Sequence, residues 1–291
     1  MKILTGLSRD KLLKLLAIIV LSDGTISKKG RYLCSIKLET LPSNECQHDL
    51  FYELCKKIYR KKPNRLYYKN NGKRMLCSRL FGKKYILELF RMSPTYQTTP
   101  GPKFSNIEFL RLKQPSLSFL FNDSKKLKII ALRIWFDFDG SIVPLFKLKE
   151  KKDNKNGKEY RYFQVQFECE IHISETNPNL AKELVTFCSK IGLKANLVKS
   201  KRKWSNIEGI RISNLESIKR FIDLGGPITD VRISSKSKRF KGITKLVVCQ
   251  AVKEILNSKR PLSFYFKTRE DAISKRLDLS KSLISEIKRF S

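Results

Sequence analysis

The sequence predicts an α+β fold made by duplication: two αββαββα repeats, followed by a small all-α segment. Three observations predict it. Leu16-Ala17-Ile18-Ile19-Val20-Leu21-Ser22-Asp23-Gly24 resembles Leu132-Arg133-Ile134-Trp135-Phe136-Asp137-Phe138-Asp139-Gly140. Each is an apolar run that stops at Asp-Gly and continues into a β-branched stretch, and the two lie about one small-domain length apart. Each opens the same ordered series of helix and strand signals. The pattern after the second series is helical throughout.

In the first repeat, Ser8 or Asp10 caps a helix through Leu12, Leu13, Leu15, Leu16, Ile19 and Val20, ended by Gly24. Thr25 to Ser27 and Tyr32 to Leu41 alternate as strands about a turn at Lys28-Lys29-Gly30. Pro42 to Glu45 opens a helix with Leu50, Phe51, Leu54, Cys55 and Ile58 at helical spacing, broken at Lys62-Pro63. Arg65 to Tyr68 and Met75 to Leu80 form a hairpin about Asn70-Asn71-Gly72, and Lys84 to Met92 closes the unit as a helix. Ser93 to Asp123, with Pro94, Pro100, Pro102 and Pro115, reads as a linker laid across the surface.

The second repeat follows the same order. Lys125 to Asp139 is a helix; Ile142 to Leu148 and Tyr160 to Ile173 are strands joined by the polar run Lys151 to Gly157. Asn177-Pro178 starts a helix with Leu180, Leu184, Phe187, Cys188 and Ile191, ended by Gly192. Ala195 to Lys199 and Gly209 to Ile212 make the next hairpin, and Asn214 caps a helix that ends at Gly225-Gly226. Aligning Tyr59 with Gly192 also pairs Cys55 with Cys188, and the longer second hairpin absorbs the change of offset. After a break at Gly226 to Gly242, Ile243 to Leu256 is a helix. Thr268 and Ser280 cap two more, with Ile273, Leu277, Leu279, Ile284 and Ile287 at the core positions of a helix-turn-helix. Four segments are expected: 1–92 and 124–226 as the repeats, 93–123 as the linker and 227–291 as a helical DNA-binding segment.

The 291 residues carry 61 Lys and Arg against 27 Asp and Glu, formally +34 at pH 7. Such a field favours a polyanion, and nucleic acid is the obvious one. An apolar fraction of 41% supports a core and excludes wholesale disorder. Seven scattered cysteines without CxxC spacing, and two lone histidines (His48 and His172), exclude a zinc site or disulfide framework and imply a reducing compartment. Leu12 to Leu21 is too short to span a bilayer. The expectation is an intracellular protein, cytoplasmic or organellar, with no membrane partner.

The two Asp-Gly segments, each opening such a unit, resemble the LAGLIDADG homing endonucleases in their double-motif, single-chain form, over about residues 8–225. The resemblance implies two motif helices side by side at the centre of a pseudo-twofold monomer. Each delivers one acid, here Asp23 and Asp139, to the floor of an antiparallel saddle on double-stranded DNA. It implies Mg²⁺ or another divalent cation held by these acids and by backbone near Gly24 and Gly140. Carboxylates are suitable hard ligands for such an ion, and phosphodiester hydrolysis needs an activated water. The saddle residues expected to face DNA are Arg31, Ser35, Lys37, Tyr67, Lys69, Arg74, Gln164, Gln166, Lys199 and Lys201. Lys37 and Gln166 stand as accessory groups, and Lys281, Ser282, Lys288 and Arg289 as helix-turn-helix contacts.

The motifs depart from the family pattern. Small residues are usual at the third and seventh positions, where this chain has Ile18, Ser22, Ile134 and Phe138; Arg133 is also unusual at the second position, and Asp137 is a further carboxylate in the second motif. The bulk is expected to separate the helices and spread the acids. The function implied is a site-specific metal-dependent DNA endonuclease. The alternatives are a non-cutting transcriptional regulator with the same fold plus helix-turn-helix, and a maturase that binds intron RNA.

Overall fold

The computed structural model describes residues 2–29, 32–233 and 240–258. The helix-turn-helix expected beyond 258, with Lys281, Ser282, Lys288 and Arg289, lies outside the described residues, as does Arg31. Both motif helices begin at a serine. Ser8 accepts the Lys11 N–H at 3.4 Å to start α1 (Arg9–Ser22), and Ser124 accepts the Leu127 N–H at 3.3 Å to start α5 (Lys125–Asp139). The hydroxyl satisfies an N–H that has no partner inside the first turn.

The first repeat continues through β1 (Gly24–Lys29), β2 (Tyr32–Thr40), α2 (Glu45–Tyr59), β3 (Asn64–Asn70), β4 (Lys73–Phe81) and α3 (Lys83–Phe90). A short α4 (Asn106–Arg111) lies between the repeats. After α5 come β5 (Gly140–Lys155), β6 (Lys158–Ser174), α6 (Pro178–Lys190), β7 (Asn196–Lys199), β8 (Ile207–Ile212) and α7 (Leu215–Asp223). The strand order is β1-β2-β4-β3 in one sheet and β5-β6-β8-β7 in the other, and every pairing is antiparallel. The chain is therefore α+β with two repeats of the same topology. A further helix, α8 (Lys245–Asn257), packs on α7 and β5.

Three expectations need correction. Lys28 and Lys29 belong to β1 and are not a turn. The polar run Lys151 to Lys155 is strand: β5 and β6 pair continuously from Gly140↔Ile173 to Lys155↔Lys158, and the turn is only Asn156-Gly157. Both turn residues have positive φ (55° and 75°), the backbone that suits a tight two-residue hairpin. Exposed arms need no apolar alternation, so polarity did not mark a loop there. Finally, 93–123 is more than a surface linker. It buries Tyr96, Phe109, Leu117 and Leu120, and it is tied to the second repeat by Glu183, which accepts from Ser116 Oγ (2.9 Å) and the Leu117 N–H (2.5 Å).

Among the described residues all seven cysteines are free, and five are buried as small apolar groups. No helix among them is long and apolar enough to cross a membrane.

Candidate functional site

The two Asp-Gly steps end the motif helices in the same way. A Cβ on Gly24 would lie 2.6 Å from Val20 Cα, and one on Gly140 would lie 2.5 Å from Phe136 O. Only glycine lets the chain turn so closely past the preceding helical turn into β1 or β5. Each motif acid is thus fixed at the junction of its helix and first strand. α1 and α5 pack directly on each other, with Ile18 and Ile134 fully buried. The negative charge of Asp23 is one of the causes that raise the pKa of Asp139.

The acids are unequal. Asp23 is open to solvent on one side, and the protein packed around the rest pushes its pKa up to about 6, against the opposing charge of Lys245. Asp139 is half-buried. Burial first, then Asp23 and Glu175, hold its carboxyl well above the ordinary range, while Lys245 opposes. Glu175, at the end of β6, is itself buried; its Oε1 accepts the Asn177 N–H at 2.6 Å, and burial pushes its pKa up to about 8. Among the described residues no three His, Cys, Asp or Glu side chains form a metal cluster. A divalent ion held by two carboxylates, with phosphate and water completing its shell, is the arrangement magnesium favours. Neutralising two acids whose pKa values are raised by burial is a role such an ion fits.

The neighbouring Asp137 does something else. Fully buried, it accepts the N–H groups of Ile228 (3.1 Å) and Thr229 (2.8 Å). One turn earlier on α5, Arg133 donates to the carbonyls of Gly225 (3.0 Å), Gly226 (2.8 Å) and Pro227 (3.1 Å). Arg133 and Asp137 are therefore the clamp that fastens the segment after α7 onto α5.

Register sorts the expected saddle residues onto two faces, since paired residues share a face and neighbours alternate. Ile36, Leu38, Leu76 and Leu80 face the helices. Ser35 and Lys37 lie on the opposite, open face, with Glu39, Arg79 and Phe81. Ser35 is buried against Ser27 (Oγ to Oγ 2.6 Å), and Lys37 pairs with Glu39 at 2.5 Å. Tyr67, Lys69 and Arg74 are exposed but register with Leu76 on the helix side, where the Arg74 guanidinium stacks 4.6 Å from the Tyr67 ring. The structure does not bring these three together with Lys37.

In the second sheet, Phe146 and Phe167 mark the helix side. Gln166 lies on the open face, across from Lys147, in a groove of about 680 Å³ lined also by Lys149, Glu168, Glu170 and Arg211. Gln164 pairs with Lys149 in the ladder. Lys199 and Lys201 are exposed at the end of β7 and just beyond it. Sequence reasoning missed Lys147, Lys149, Arg79 and Arg211; the first two alternate with Phe146 along β5 and so fall on the opposite face from it. It also missed Glu175 and Lys245, for which no local signal exists.

The class defined by fold and site is a duplicated α+β protein with one acid per repeat at the helix junction and a basic open face on each sheet. No protein-family model matches the chain, and no curated protein matches it. Solved structures do. The LAGLIDADG homing endonuclease I-LtrWI bound to target DNA is similar with 14% identity over 97% of both chains and a TM-score of 0.49. I-DmoI in complex with DNA and Mn is similar with 12% identity over 75% of this chain and 97% of that one, with a TM-score of 0.44. The meganuclease I-SmaMI bound to uncleaveable DNA is similar with 10% identity over 97% of this chain and all of that one, with a TM-score of 0.49.

Proposed function

We propose that the chain is a site-specific double-stranded DNA endonuclease that uses Mg²⁺ or a similar divalent cation and works as a monomer with internal pseudo-twofold symmetry. The observation that carries this is that Asp23 and Asp139 stand at the ends of two helices that pack on each other, one from each repeat. Asp23, Asp139 and backbone near Gly24 and Gly140 would hold the ion. When bound, it would supply a water of lowered pKa and charge stabilisation at the scissile phosphate.

The chain's own residues do the rest. In the metal-free protein the Asp139 carboxyl holds its proton more tightly than an ordinary aspartate, because burial and the Asp23 charge disfavour the anion. Lysines and arginines on the open faces hold phosphates, and the alternating Gln166 and carboxylates present hydrogen-bonding groups to base edges. One acid per repeat serves one strand of the duplex.

The test uses the full chain and plasmids carrying random inserts. Wild type is expected to linearise a subset in Mg²⁺ and none in EDTA. Asp23→Asn combined with Asp139→Asn should lower the rate by roughly 1,000-fold or more while metal-free DNA binding persists. Wild type cutting no faster than the double variant would end this reading.

A further inference from the structure

We propose that Lys245, supplied from outside the duplicated units, is a positioning residue for the Asp139 half of the acid pair, and that it makes the two half-sites unequal. The proposal rests on the endonuclease reading above. The last carbonyls of a helix have no partner within it and carry its negative dipole end. At the end of α5 a buried ammonium is added: Lys245 Nζ donates to Phe136 O, which also accepts the Gly140 N–H, and to Asp137 O, both at 2.8 Å, and lies 5.1 Å from the Phe136 ring centre. Gln47 Nε2, from α2 of the other repeat, donates to the same Asp137 carbonyl at 2.9 Å. Asp139 follows two residues later.

The cation is itself fixed. Lys245 is the first residue of α8; its backbone N–H donates to Val231 O at 2.9 Å, and the Thr244 hydroxyl accepts the Val247 N–H to cap the helix. Only 6% of Lys245 is exposed. Among the described residues α1 shows no such device. Matching the motifs residue by residue, Val20 and Leu21 stand where Phe136 and Asp137 do, and among the described residues no lysine donates to their carbonyls. The turn carrying Asp139 is therefore pinned by a charged group from the appended helix, whereas the turn carrying Asp23 ends open to solvent.

The experiment takes the full chain and a duplex recovered from a random pool by its binding in EDTA, labelled on one strand or the other. Lys245→Met keeps the stem and removes the charge. Expected is a strand-specific loss in Mg²⁺, with one strand nicked at least about 10-fold more slowly than the other, so that nicked DNA accumulates. In a calorimetric titration of calcium into the metal-free complex, affinity at one ion should fall about 10- to 100-fold. Lys245→Arg, which restores a cation, should return both readouts towards wild type. If Lys245→Met does not fold, Lys245→Gln replaces it with the same expectations. Both strands slowing in step, with an unchanged calcium isotherm, would overturn the proposal and leave the nuclease reading intact. Wild type that neither cuts nor takes up calcium on DNA would remove the nuclease reading and this inference with it.

Discussion

At the scale of single residues, the buried polar groups divide by what they touch. Asp23 and Asp139 end two helices that pack across the repeats, whereas His48 sits fully buried inside the first repeat. Its Nε2 lies 2.9 Å from Thr40 Oγ1 and its Nδ1 2.8 Å from Ser78 Oγ, so the ring ties α2 to β2 and β4. Burial, with the Arg65 charge, pushes its pKa down to about 4 from 6.5. A histidine that resists protonation in the fold stabilises fully above its unfolded pKa, and that stability is lost as pH falls from 6.5 towards 4. The loss attributable to His48 should be on the order of 2–3 kcal/mol. Asp137, Glu175 and Asp139 have raised pKa values and act in the opposite sense, gaining stability as pH falls, so the wild-type curve alone mixes the two. The check is the difference in urea midpoint between wild type and His48→Gln at pH 7 and at pH 4.5. The difference should shrink at the lower pH, and an unchanged gap would exclude His48 as the titrating group.

At the scale of elements, α5 does more than present an acid. Arg133 and Asp137 lie one turn apart and hold 225–229, and the Asp137 carboxylate shares its surroundings with the Lys245 ammonium. The Asp137 carboxylate also accepts two buried backbone N–H groups, so Asp137→Asn should destabilise the chain by about 1.5–3 kcal/mol in chemical denaturation. Combining it with Lys245→Met should recover at least about 1 kcal/mol relative to the sum of the single changes. Strict additivity would show that the two charges do not interact. The same element shows what a sequence can disclose. Its ends were legible because Ser124 caps it and Gly140 admits the turn, and both are local requirements. The use of Arg133 and Asp137 was not, because their partners lie more than 90 residues away and are backbone groups with no side-chain signature. Lys245 reaches its carbonyls across 109 residues in the same way.

At the scale of the whole molecule, the repeat of strand order in the two sheets was legible because caps, turn residues and apolar spacing recur in one order along the chain. Which side of each sheet meets a partner was less so. The face of a strand inverts with a one-residue slip, and the ladders shift at Ser27/Lys28 and at Val198/Lys199. Tyr67, Lys69 and Arg74 stand on the other face from Lys37, through the unbroken β2–β4 and β3–β4 ladders. The distinction can be measured on the proposed duplex. With a formal charge of +34, binding should weaken steeply as salt rises, because each phosphate neutralised by a lysine releases counterions. The slope will be shallower than the cation count suggests, since Lys37, Lys147, Lys149 and Arg211 are already paired with Glu39, Glu168 and Glu170. Each true phosphate contact contributes about one unit of slope. Lys147→Ala with Lys149→Ala, on the open face, should reduce the slope of log affinity against log salt by about one, less than two full contacts because both lysines already share Glu168. Lys69→Ala with Arg74→Ala, on the helix side, should change it by less than about half a unit. Fluorescence anisotropy between about 50 and 200 mM salt, a range over which such contacts weaken binding by orders of magnitude, resolves the difference. Equal effects from the two pairs would mean that the open face is not the one laid on DNA.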